Sequence, residues 1–393
     1  MNIDKVIRGL NKNLGCKITR REFIRRCLAL GLGAGMLSTL SGVYTRYSAY
    51  ASIGEKRGMR EALFYESAGG GRVRCNLCPV GCVLKEGQRS FCRVREPVGE
   101  KLYTLVYGLI CAMHIDPVEK KPMFHVLPGS SALSVATAGC NSRCKFCQNW
   151  TISQRTPEET ANRPLSPDSL IASALRNNCR SIAYTYNEPV IFYEYMVDAS
   201  ERAAGKGIKN IMVTGGKINP APMKHAAKYV DAANVDLKGF DREYLEKVCA
   251  QDLDNILEAL TVMKKNGMWV EITNLIVPTL NDNMEDIRRM AVWIRDNLGA
   301  DTPLHFTRFW PQYKLRSLYP TPVDTLMTAR GIAMDEGLHY VYVGNVPGSG
   351  AENTLCPQCG KLLIERKGYM VLENNVEKGS CRFCGQRIPG IWS

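Results

Sequence analysis

Three cysteines, Cys140, Cys144 and Cys147, stand at C-x3-C-x2-C spacing in the run Cys140-Asn141-Ser142-Arg143-Cys144-Lys145-Phe146-Cys147. Thiolates suit iron–sulfur clusters, and a four-iron cluster takes four of them. Three thiolates on one short loop would hold such a cluster with one iron open to another ligand. An open position is what separates a reactive metal centre from a structural one. Two blander readings stand beside it: a zinc loop, or a ferredoxin-type cluster whose fourth cysteine lies elsewhere.

Two further cysteine sets flank this loop. Cys356, Cys359, Cys381 and Cys384 form two C-x2-C-G turns with 21 residues between them. That spacing predicts a four-thiolate site, with zinc favoured over a rubredoxin-like iron. Cys75, Cys78 and Cys82 lie close together, with Cys92 ten residues on. They predict a closed site for either an auxiliary 4Fe–4S cluster or zinc, with disulfides as the alternative. Of sixteen cysteines, eleven fall in these tight groups, so metal sites are favoured over disulfides.

The elements that position the loop follow from periodicity. Strand-like runs at 132–138, 181–186, 209–214, 232–237, 269–277 and 303–309 are rich in Val, Ile, Leu, Ala, Thr or aromatics. Helix-like runs lie at 167–178, 190–205, 220–229, 254–266, 284–298 and 323–336. In 284–298, Met284, Ile287, Ala291, Ile294 and Leu298 share one face. Asp198, Glu201 and Lys206 mark a solvated side for 190–205. Six strand–helix units predict an α/β fold with a parallel sheet, a (βα)6 partial barrel. Such sheets bind ligands at the carboxyl ends of their strands. The first strand ends at the cysteine loop. The predicted segments are 1–51, a cysteine module at 72–100, a core at 125–347 and a terminal module at 352–393. Ser52 to Gly71, ending in three glycines, reads as a linker.

Polar residues at the strand ends are then candidate ligands. Asn187 and Glu188 follow the second strand in Tyr186-Asn187-Glu188-Pro189, which also reads as a helix cap. Thr214, Gly215 and Gly216 end the third, where glycine permits close backbone approach or a tight turn. Asp236 and Lys238 end the fourth and share one side. A charge pair inside a barrel is costly unless paired or bound. Asn274 on the fifth strand is a weaker candidate, with Glu271 and Thr273 beside it. His305 and Arg308 on the sixth face either substrate or core.

The formal charge of +13 invites a nucleic-acid reading, but its distribution opposes it. Residues 1–51 carry a net +7 and the rest only +6. Thr19-Arg20-Arg21-Glu22-Phe23-Ile24-Arg25 resembles a twin-arginine signal. An uncharged run, Cys27 to Thr45, and Ala49-Tyr50-Ala51 follow it. The expectation is export, to a periplasmic or membrane-tethered form, with an uncleaved segment as the one membrane contact. A cytoplasmic protein with a basic tail is the alternative.

The loop C-x3-C-x-aromatic-C, after the first strand of an α/β domain, resembles the signature of radical S-adenosylmethionine (SAM) enzymes. The resemblance implies a 4Fe–4S cluster on Cys140, Cys144 and Cys147, with SAM chelated to the open iron. It implies reductive cleavage of SAM to a 5′-deoxyadenosyl radical that abstracts hydrogen from substrate. Phe146 would lie near the adenine. Glu188-Pro189 resembles the end of a Gly-Gly-Glu-Pro motif that contacts the SAM amino group, with Tyr186 and Asn187 replacing the glycines. Asp236 and Lys238 resemble SAM contacts of activating enzymes. The chain is most similar to relatives of pyruvate-formate-lyase activating enzyme, and within them to the radical SAM protein of the AmmeMemoRadiSam system. The Cys75–Cys92 module carries this, with the run His114-Ile115-Asp116-Pro117-Val118-Glu119-Lys120-Lys121-Pro122 and the terminal Cys-Pro-x-Cys-Gly. That subgroup implies Memo-like and Ammecr-like companions, and SAM cleavage implies a flavodoxin- or ferredoxin-type donor. The substrate class would be a protein, peptide or small aromatic molecule. A multi-cluster electron carrier without SAM chemistry is the alternative function.

Overall fold

A computed structural model describes residues 58–346 and 348–393. The signal-like segment 1–51 lies outside the described residues. The core is an eight-stranded sheet: β1 (Ala112–Pro117), β2 (Ser131–Ala136), β3 (Ser181–Tyr184), β4 (Lys209–Thr214), β5 (Ala232–Asp236), β6 (Trp269–Ile276), β7 (Leu304–Arg308) and β8 (Val341–Gly344). The strands lie side by side in chain order. β1 pairs antiparallel with β2, and all later pairs are parallel. Six helices make the crossovers: α1 (Pro167–Arg176), α2 (Tyr193–Ala204), α3 (Pro220–Ala226), α4 (Leu253–Lys265), α5 (Met284–Leu298) and α6 (Val323–Asp335). This is the predicted (βα)6 partial barrel, extended by one edge strand on each side.

Local chemistry sets the elements. α1 starts where Ser166 accepts the Ser169 amide and Pro167 fills the first turn. Leu170, Ile171 and Ala174 are its buried stripe. α5 starts at Asn283, which accepts from Glu285 N, and buries Ile287, Met290, Ala291, Ile294 and Leu298. Each such Ile or Leu contributes about 2 kcal/mol through burial. On β6, Val270, Ile272 and Ile276 join the core, while Thr273 and Leu275 face the lumen with His305 and Thr307 of β7.

The amino-terminal module differs from expectation in two ways. Gly69-Gly70-Gly71 is no linker: it is the turn between paired strands Tyr65–Gly69 and Arg72–Cys75. All three glycines have φ between +59° and +72°, conformations open to glycine at little cost. The module therefore begins before residue 72. It also covers α2, so the expected solvated side is partly buried. Glu194 pairs with Arg95 at 2.8 Å, and the Tyr107 hydroxyl donates to Asp198 at 2.6 Å. Glu201 and Lys206 stay exposed. At the other end, strands β9 (Thr354–Leu355), β10 (Leu362–Lys367) and β11 (Met370–Asn374) form a small antiparallel sheet. Among the described residues, no helix is long and apolar enough to cross a membrane.

Candidate active site

β2 delivers the three thiols at the carboxyl end of the sheet. Gly139 turns the chain at φ +92°, where a side chain is strained. A Cβ there would also sit 2.6 Å from the Cys92 carbonyl oxygen. The loop is tied down on several sides. Gly139 N donates to Ile152 O (2.9 Å), Arg143 N to Cys249 O (2.8 Å) and Lys145 N to Val248 O (3.0 Å). Asn141 Nδ2 donates to Lys217 O at 2.8 Å. Cys140 and Cys144 are buried and Cys147 half-buried. Burial pushes the Cys140 and Cys147 thiols up, so without a metal they stay protonated. Cys144 goes the other way: the neighbouring Cys249 thiol and the Lys238 charge outweigh burial.

These thiols open onto a cavity of about 880 Å3. Phe146, Asn187, Glu188, Gly215, Asp236 and Lys238 line it with them. Lys238 Nζ lies 2.8 Å from Asp236 and 5.7 Å from the Phe146 ring centre. Burial opposes the Lys238 charge, but Asp236 and Cys144 prevail and raise its pKa. Glu188 is buried. Its oxygens accept from Thr214 Oγ1 (2.6 Å), Gly215 N (2.8 Å) and Val190 N (3.3 Å). It thus caps the turn after β3 and faces the cavity as well. Burial, partly offset by these bonds, pushes its pKa up to about 7.

Three candidates stand back from the cavity. Thr214 serves through Glu188. Gly216, at φ +70°, turns the chain, and its amide donates to Thr214 Oγ1. Asn274 has the parity of Ile272 and Ile276, so it faces away from the lumen. Its Nδ2 holds the loop after β5 through Leu237 O at 2.7 Å. His305 reaches the cavity floor, yet its Nε2 donates to the buried Glu271 at 2.8 Å. Arg308 donates from Nε to Thr321 O.

Spacing did not reveal other lining residues. Gln251 reaches Ser142 Oγ at 3.2 Å, and Asn149 Nδ2 donates to Tyr186 O. Gly368 and Tyr369, at the β10–β11 tip, wall the mouth. Tyr186 stands at φ +67°, a left-handed conformation that costs about 1–2 kcal/mol without glycine. Its hydroxyl donates to Asp116 at 2.6 Å, and the Lys121 ammonium lies 4.7 Å from its ring centre. Asp116 also pairs with Lys120 and Lys121. The run 114–122 thus clamps the strained turn that precedes Glu188.

Residues and cavity fit a cluster with SAM. Asn187 Oδ1 and Gln251 Oε1 are buried without partners. The volume falls within the roughly 300–1,000 Å3 of small-molecule sites. Among the described residues, Cys356, Cys359, Cys381 and Cys384 are the one metal-ligating set with all ligand atoms within 4.8 Å. Cys75, Cys78, Cys82 and Cys92 line a separate small space.

Comparison with known proteins agrees. The model of the Radical SAM superfamily matches residues 134–294. The uncharacterized protein MJ0808 of Methanocaldococcus jannaschii is 48% identical over 84% of this chain and 99% of its own length. The pyruvate formate-lyase-activating enzyme of Clostridium pasteurianum is 23% identical over 40% of this chain and 67% of its own. The 4-hydroxyphenylacetate decarboxylase activating enzyme of Clostridium scatologenes is 25% identical over 39% and 49%. With its cysteine loop at the mouth of a partial barrel, this chain belongs to the radical SAM superfamily.

Proposed function

We propose that this protein cleaves SAM reductively and uses the product radical on a protein, peptide or small aromatic substrate. One observation carries the reading: the three loop cysteines share a single cavity with Glu188, Asp236 and Lys238. When bound, a 4Fe–4S cluster and SAM supply a 5′-deoxyadenosyl radical for hydrogen abstraction. The chain's own residues position and shield. Cys140, Cys144 and Cys147 would hold the cluster, and Glu188 would accept a hydrogen bond from the SAM amino group. Lys238, steadied by Asp236, would balance negative charge beside Cys144, and Phe146 would pack near the adenine. No general base is required, so the cavity serves to exclude water.

Glycyl-radical activation is one version of this activity. Memo-like and Ammecr-like companions and a flavodoxin- or ferredoxin-type donor are the proposed partners. Zinc is proposed for the terminal cysteine set, where the sulfur spacings of 3.6 and 3.8 Å suit one ion. Export by the twin-arginine route is proposed on residues 19–25. The test is anaerobic reconstitution of residues 52–393, reduction with dithionite, and assay for 5′-deoxyadenosine. A loaded cluster that binds no SAM and forms no product would favour an electron carrier.

The Glu188 contact has a pH signature. The ionised carboxylate accepts an amino N–H better than the acid does, and burial keeps this one protonated below about 7. Binding below that pH must expel a proton. SAM affinity therefore rises with pH through that range. Equilibrium dialysis of the reconstituted protein at several pH values reads this directly. Glu188→Gln should flatten the profile, and a flat parent profile would remove Glu188 from the contact.

A further inference from the structure

Cys75, Cys78, Cys82 and Cys92 all line one small space, together with Phe91, Arg95 and Asn141. All four thiols are free. Spacing discriminates among metals. A zinc–sulfur bond of about 2.3 Å sets a tetrahedral sulfur–sulfur edge of about 3.8 Å. The terminal cysteine set matches that edge, with pairs at 3.6 and 3.8 Å. The Cys75 set does not draw all its sulfurs within 4.8 Å, as the terminal set does. Four thiols around one space, too widely spaced for a single ion, fit a polynuclear cluster.

Arg95 is an independent observation. Its side chain is 1% exposed, and its Nη2 bonds both Glu194 oxygens at 2.9 and 2.8 Å. Its Nε and Nη1 are buried without a partner. Each unpaired donor costs about 1–3 kcal/mol, and a guanidinium cannot escape by losing its proton. Cluster sulfides and thiolates would accept both.

The two sites are neighbours. Asn141 lines this space while Cys140 and Ser142, on either side of it in the chain, line the large cavity. A Cβ on Gly139 would touch the Cys92 carbonyl. The buried Lys217 ammonium bonds Asn141 O at 2.9 Å and lies 5.2 Å from the Phe91 ring centre. A single layer of chain separates the two cysteine sets. Cys78 and Cys82 are partly exposed, which leaves this set open to an outside donor.

The geometry points to a second 4Fe–4S cluster on Cys75, Cys78, Cys82 and Cys92 that is the electron inlet for the cluster on Cys140, Cys144 and Cys147. Held there, the reduced inlet cluster would give up one electron, being oxidised by one, and the other cluster would be reduced by one. No atom is transferred. A one-electron carrier such as reduced flavodoxin restores the inlet. The relay rests on SAM cleavage at the first site, whereas metal binding at the second does not.

The two halves are tested separately. The full chain with Cys140, Cys144 and Cys147 all changed to Ala is reconstituted anaerobically. It should keep about four irons and four acid-labile sulfides per chain and give a cubane EPR signal on reduction. Zinc in their place, or a single iron without sulfide, would overturn the cluster. For the relay, reduction of the first cluster in Cys82→Ser is followed by freeze-quench EPR. Reduction by flavodoxin should slow at least about tenfold while dithionite reduces it at the parent rate within about twofold. Equal rates with flavodoxin, or the same slowing with dithionite, would overturn the relay.

Discussion

Alanine at Cys140 or at Cys147 should lower SAM cleavage at least about 1,000-fold, a barrier increase of about 4 kcal/mol. Two thiolates cannot hold a four-iron cluster in one orientation, and SAM depends on the iron that they leave open. Among the described residues, the thiols that act on Cys140 and Cys147 all belong to the loop itself. Cys147 has the Ser153 hydroxyl beside it, 3.2 Å from its sulfur. Cys144 is different, because its pKa responds to a neighbouring thiol, Cys249. Cys144→Ala alone should retain some iron through Cys249, and Cys144→Ala with Cys249→Ala should lose it. The terminal module should keep its metal in every variant, since its four sulfurs ligate independently. Iron, sulfide and zinc contents beside 5′-deoxyadenosine yield decide the matter. Parent-level cleavage in both Cys140→Ala and Cys147→Ala would sink the cluster assignment.

Cys249 shows where sequence reading stops. It falls in none of the tight cysteine groups, because the turn that carries it lies more than 100 residues beyond the loop it meets. What was legible was local. Period-two and helical patterns placed six strands and six helices to within a few residues, since each buries a regular stripe. The missed edge strands had weak patterns. Ala112–Pro117 carries His114, Asp116 and a proline, and Val341–Gly344 has only four residues. Three consecutive glycines suit a hairpin turn as well as a linker, and composition cannot separate the two. The polar face of α2 was real, but its partners Arg60, Arg95 and Tyr107 come from a distant module. Asn274 was misplaced by one step of strand parity. Asp236 and Lys238, two residues apart on one side, do meet.

Glu271 teaches the converse: a carboxylate inside the barrel need not serve chemistry. Glu271→Ala should destabilise the protein by about 3–5 kcal/mol, as the loss of a buried charge partner does. Its side chain is fully buried. One oxygen accepts from Phe124 N (2.9 Å) and His305 Nε2 (2.8 Å), the other from His125 N (2.8 Å) and Trp269 Nε1 (3.1 Å). One side chain thus ties β6 and β7 to the segment before β2. His125 carries the tie onward, donating from Nδ1 to Pro389 O at 2.7 Å. Glu271→Gln should cost nearly as much, because its amide nitrogen would face two donors. The sign with pH is defined. Burial raises the Glu271 pKa, but His305, His125 and the amides outweigh it and hold it below 4.5. Its stabilisation is therefore complete above that pH and lost as pH falls through the lower folded value. The gap between parent and Glu271→Ala, read as denaturation midpoints, should narrow in acid. A Glu271→Ala protein as stable as the parent yet unable to turn over would reassign Glu271 and His305 to the substrate.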